Sequence, residues 1–172
     1  MTVTGPATPA ATTRRLAAHG LSVQVLPGWD ARIERRQEAS VAAPGSEWPM
    51  SGFVHPVLHA ATSTLPSVRG DYGSGYVERM GPLDAFVCLV EFDHEAGATA
   101  MFEDGQPAGV AVRDVHPEAQ QRVIAGMCGT QRFFATGGRA FCLYVVLGSW
   151  LHRERLVRTA NQLISTIRID PR

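Results

Sequence analysis

The run TQRFFATGGRAFCLYVVLGSWLHRERLVRTANQLISTI, Thr130 to Ile167, decides the fold class. TQRFFA and AFCLYVVLG are strand-like runs separated by TGGR, and a Gly-Gly pair between such runs signals a hairpin, because a tight two-residue turn needs positive φ. The period then changes. In SWLHRERLVRTANQLISTI, Ser149 to Ile167, the residues Leu151, Leu156, Val157, Ala160, Leu163, Ile164 and Ile167 fall on one stripe, with Arg153, Arg155 and Arg158 largely outside it. That is the 3.6-residue period of an amphipathic helix laid on a core.

Upstream, AFVCLVEF (Ala85 to Phe92) is apolar except at its penultimate position, the pattern of a strand buried on both faces and central to a sheet. LSVQVLP alternates Leu21, Val23 and Val25 with Ser22 and Gln24, and WDARIER alternates Trp29, Ala31 and Ile33 with Asp30, Arg32 and Glu34. Both show the two-residue period of half-buried strands, and Pro27-Gly28 between them predicts a hairpin. RRLAAHG before them predicts a helical turn closed by Gly20. VLHAATSTLP, Val57 to Pro66, predicts a third strand, whereas Arg35 to Gly52 and Ser67 to Pro82 read as loops, the latter with a short strand at Gly75 to Arg79. Asp93 to Ala119 is placed only loosely. Strands meeting by hairpins before a long C-terminal helix imply an α+β domain, residues 14–172, whose mainly antiparallel sheet is covered by that helix. The Thr/Ala/Pro-rich residues 1–13 read as a disordered tail without the layout of a secretory signal.

Composition narrows the chemistry. The 172 residues suffice for a core without disulfides or a structural metal, and sixteen basic residues balance sixteen acidic ones. No overall field therefore draws the chain to nucleic acid or an anionic membrane. All the basic residues are arginine, which removes a P-loop and Schiff-base catalysis, since both need a lysine. No window is long and apolar enough for a membrane span, so a cytoplasmic protein is expected. Cys88, Cys128 and Cys142 form no CxxC pair and read as reduced core residues.

Candidate sites are few. His55 and His59 stand four apart, a helix-face metal spacing, but Pro56 takes His55 out of helical geometry. As a strand the pair would lie roughly 13 Å apart, too far for one ion, so ordinary surface or edge histidines and no metal are expected. His116-Pro117-Glu118 resembles half of a zinc deaminase motif but lacks the cysteine half, and reads as a helix start. Gly73-Ser74-Gly75 and Asp93-His94-Glu95 read as turns, and Cys142, flanked by apolar residues, as packing. Two binding surfaces remain. Arg69, Tyr72, Tyr76, Arg79 and Met80 give the Gly-rich loop the composition of an interface, although tyrosines equally pin loops to a body. Arg155 and Arg158, neighbours at i, i+3, could grip an acidic partner or a phosphate, or form a solvated face paired with Glu154.

The LPGW turn, the piece DYGSGYVERM, and GRAFCLYVVLG followed by a helix ending NQLISTIRI together resemble the PsbP-like family and its small actinobacterial relatives. The resemblance is one of layout over most of residues 20 to 169. It implies an α/β/α sandwich and a non-enzymatic accessory or protein-binding role without a cofactor, and none of the family's metal or partner residues map here. The function expected is thus a cytoplasmic module that binds another protein, with homo-oligomerisation left open. The alternatives are a protein holding a small apolar ligand and, third, a hydrolase or metal enzyme.

Overall fold

Nine strands and one α-helix are laid out in two sheets in the computed structural model, which describes residues 13–35 and 55–172. In chain order these are β1 (Arg14–Ala18), β2 (Leu21–Val25), β3 (Asp30–Arg35), β4 (Pro56–Ala61), β5 (Ala85–Phe92), β6 (Glu103–Asp104), β7 (Cys128–Thr136), β8 (Arg139–Leu147), α1 (Arg153–Ile164) and β9 (Arg168–Ile169). The larger sheet runs β3-β4-β5-β8-β7-β6, antiparallel except for β6 beside β7, and the smaller runs β1-β2-β9. The expected tail and most of the loop from Arg35 to Gly52 lie outside the described residues.

The antiparallel sheet and the single helix near the C-terminus are as the hydrophobic pattern implies. β7 and β8 form the expected hairpin, with Gly137 and Gly138 both at positive φ, and β5 and β8 occupy the centre. Because successive side chains on a strand point to opposite faces, these strands serve two cores. Val87, Leu89, Leu143 and Val145 face one side, with Leu21 and Val23 from β2 and Leu156, Ala160, Leu163 and Ile164 from α1. Phe86, Cys88, Val90, Cys142, Tyr144 and Val146 face the other, covered by Leu65, Tyr76, Val77 and Met127.

Several expectations fail. RRLAAHG forms β1, a strand paired with β2, and not a helical turn; His19 and Gly20, both at positive φ, make a two-residue hairpin. A left-handed glycine suits either a helix end or such a turn, and a helix of one turn is too short to hold itself. β2 and β3 do not form the expected hairpin. The Pro27-Gly28 turn carries the chain from one sheet to the other, where β3 pairs β4 while β2 pairs β1 and β9. Alternation marks a strand without naming its partner.

The third strand ends at Ala61, and Gly75 to Arg79 contains a 3₁₀ turn at Val77–Arg79 in place of a strand. The Val77 N–H donates to Gly73 O and the Gly75 N–H to the Glu78 carboxylate, so the backbone winds. The helix has 12 residues, fewer than the 19-residue stripe suggests, and Leu151 is 86% exposed in the turn before it. Among the described residues α1 is the only α-helix, so loops and 3₁₀ turns, not a second helical layer, cover the opposite face. No helix among these residues is long and apolar enough to cross a membrane.

Candidate functional site

The loop read as a contact surface turns most of its large side chains inward. Arg69, whose side chain is 2% exposed, donates from Nε to His59 Nδ1 and from its two Nη atoms to Pro66 O and Glu34, each at 2.8 Å. Tyr76 is buried against Phe86, its hydroxyl 2.7 Å from Ser63 Oγ, and burial raises its pKa. Tyr72 is half-buried, edge-on to Tyr144, and Met80 is half-buried against the same core. Gly73 shows why they sit so low: a Cβ there would lie 2.5 Å from the Phe86 ring. The loop is held against the sheet, and Arg69 and Tyr76 are braces, contrary to their reading as surface anchors. Arg79 alone of the five is exposed.

His59 is not the surface or edge histidine expected. It is buried on β4, and because Nδ1 accepts from Arg69, Nε2 carries the proton and donates to Asp71 O at 2.7 Å. Burial holds its pKa down at about 4; the Asp71 bond opposes this, and Arg69 adds to it. His55 precedes the strand, with Nε2 2.8 Å from Asp93 Oδ1, so the two imidazoles serve different partners. Among the described residues no three His, Cys, Asp or Glu side chains gather in a metal-holding group. All three cysteines are buried and outside any disulfide; burial pushes Cys142 up to about 12 and Cys128 to about 11, out of the nucleophilic range. Pro117–Ala119 is a 3₁₀ turn with the proline at its start, while Asp93, His94 and Glu95 are exposed in another turn.

The basic pair on α1 divides. Arg155 and Arg158 are both exposed, and among the described residues neither has a carboxylate within 4.0 Å. Only Arg155 lines the open groove of about 670 Å³ between α1 and the Pro27-Gly28 turn, together with Leu26, Trp29, Leu83 and Leu156. Sequence reading missed Trp29 and Leu83 as site residues. Trp29 sits in a strand-like alternation, and nothing in MGPLD marks Leu83 as exposed.

The groove opens on one end of the larger sheet. Asp30 pairs with Ala61, Ala85 with Leu147 and Cys128 with Leu147, so β3, β5 and β7 start where β4 and β8 stop. The loops there are tied by backbone bonds from Gly148 N to Asp84 O and from Trp150 N to Gly126 O. They carry Leu83 (52% exposed), Val123 (61%) and Leu151 (86%), three of the five exposed large hydrophobics among the described residues. Arg153 lies 4.0 Å over the Trp150 ring at the same rim.

A second recess, of about 600 Å³, surrounds the buried pair of Glu91 and Arg139. Arg139 Nε and Nη2 donate to Glu91 at 2.9 and 2.6 Å, Nη1 to Gly20 O and Asp170 O, and Nη2 also to His19 O. All five guanidinium N–H groups are thereby used. This arginine joins the β1–β2 turn, the C-terminal segment and the central strands, which makes the recess a structural junction. The chain matches no protein-family model, no curated protein and no solved structure.

Proposed function

We propose that this chain is a non-enzymatic, PsbP-like module of the cytoplasm that binds another protein through the loop end of its larger sheet. The observation that carries the reading is the exposure of Leu83, Val123 and Leu151 in the loops at that end, with Leu83 also lining the groove that holds Trp29 and Arg155. A tryptophan and an arginine beside a concavity are residue types that anchor interfaces. The commitment of His59, Tyr76 and the three cysteines to packing and internal bonds supports a binding role over a catalytic one. Kinship of layout is supported by the antiparallel sheet followed by α1 and the short β9.

Photocrosslinking in cells tests it. A photoreactive residue at position 83 or 151 should give one common protein adduct that is absent when the probe replaces Met101, an exposed residue on another part of the fold. Equal labelling from all three positions, or none from the rim, would overturn the proposal. The groove's volume also falls within the range of small-molecule sites, the second reading. A small molecule retained in native mass spectra of the purified protein would favour it.

A further inference from the structure

The groove's lining says what kind of segment would occupy it. Among the described residues that line it Arg155 is the only ionised one, and none is a carboxylate. The acids next to Trp29 and Leu83 in the chain have partners, and Glu154, next to Arg155 on α1, is not among the groove's lining residues. Asp30 accepts the Leu65 N–H, and the two oxygens of Asp84 accept from Gly81 N and the Thr62 hydroxyl. An unpaired guanidinium at the edge of a groove of mixed polar and apolar lining attracts a carboxylate, and partial desolvation on docking strengthens that attraction.

The trough is also measured by the helix beside it. Arg155, Thr159, Gln162 and Ser165 line it in succession, ten residues of rise from first to last, or about 15 Å at ~1.5 Å per residue. An extended chain advances ~3.3 Å per residue, so about four or five residues fill that length. Trp29, Leu26 and Leu83 supply apolar contact on one side, and Thr159, Gln162 and Ser165 polar groups on the other. Gln162, exposed on α1, offers an amide that can bond an extended backbone.

We infer that the groove between α1 and the Pro27-Gly28 turn binds an extended peptide segment of the partner that bears an acidic residue at the end lying on Arg155. The inference rests on the protein-binding reading above and specifies the partner. It separates Arg155 from Arg158: the latter lies outside the groove and contributes only long-range attraction, which salt screens.

Fluorescence polarisation with labelled pentapeptides of leucine and alanine, carrying glutamate, glutamine or lysine at one end, tests it. The glutamate peptide should bind best, and Arg155→Glu should weaken it at least about tenfold while improving the lysine peptide, the signature of a direct charge pair. Leu83→Asp should abolish binding by facing the peptide with a second carboxylate. Arg158→Glu should change the affinity by less than about threefold, as a rim charge does. Arg155 and Leu83 are exposed, so urea midpoints of the variants should match the wild type and separate lost binding from lost folding. The inference fails if no peptide binds, if glutamate and lysine peptides bind alike, or if Arg155→Glu leaves the affinity unchanged. A common rim adduct in cells together with any of those results would sink the acidic-segment assignment and leave the binding module standing.

Discussion

Replacing Arg139 by methionine removes the buried guanidinium while keeping an unbranched stem. The wild-type residue makes five hydrogen bonds, two of them to Glu91, whose side chain is 1% exposed. In the variant Glu91 keeps Arg172, 3.3 Å away and half exposed, in place of a bidentate partner. Removing one member of a buried pair costs about 3 to 5 kcal/mol, because the remaining charge loses its bidentate partner and much of its compensation. The carbonyls of His19, Gly20 and Asp170 add little, since they lie near enough to the surface to find water. Against a total stability of about 5 to 15 kcal/mol, that is a large fraction. With a urea m-value of about 2 kcal/mol/M, the midpoint should fall by roughly 1.5 to 2.5 M at unchanged m. The double variant Arg139→Met with Glu91→Leu should recover part of the loss, since no buried charge remains. A midpoint within about 0.3 M of wild type for Arg139→Met would refute the junction argument.

Two further outcomes rest on other particulars. As pH falls the unfolded chain takes up a proton at the ordinary histidine value of 6.5, before buried His59 does so at about 4. Stability should therefore drop by about 3 kcal/mol between those values and level off below, and His59→Gln should flatten that part of the urea-midpoint profile. At Gly148 a Cβ would lie 1.9 Å from Gly81 O and 3.2 Å from Asp84 O. Gly148→Ala must displace backbone on both sides and should cost about 2 kcal/mol or more; wild-type melting would show that the rim loops yield freely.

The legible parts of the fold are those governed by local period. β5, the β7–β8 hairpin and the stripe Leu156, Val157, Ala160, Leu163 and Ile164 follow directly from hydrophobic spacing. What period cannot carry is pairing across distance. β2 finds its second partner in β9, and RRLAA becomes a strand only because β2 is there to receive it. Loop composition likewise does not state which way a side chain points. Tyr76 and Arg69 suit an interface or an interior equally, and the close approach of Gly73 to Phe86 decides for the interior. Of the candidate site, Arg155 was visible as an unbalanced charge beside a helix stripe, while its separation from Arg158 depends on where the Pro27-Gly28 turn packs. The one polar residue in AFVCLVEF, Glu91, was a readable trace of the junction. Its arginine stood within TGGR, where turn chemistry offered a sufficient account.

The smaller sheet draws its strands from both ends of the described fold, and the bond from Gln24 N to Thr166 Oγ1 closes 142 residues of chain. β1 and β2 form a local hairpin, and the strands from β3 to β8 close shorter separations. Pairing of β9 with β2, by contrast, must await the longest closure and gains only two residue pairs in return. Such an element belongs among the units that open first in native-state hydrogen exchange, well below the global unfolding free energy. The turn that follows β2 is one wall of the groove, so each excursion of the smaller sheet also loosens that wall. A segment lodged on Arg155 would slow amide exchange in β2 and β9, strands it does not touch, because binding would draw population away from the opened form.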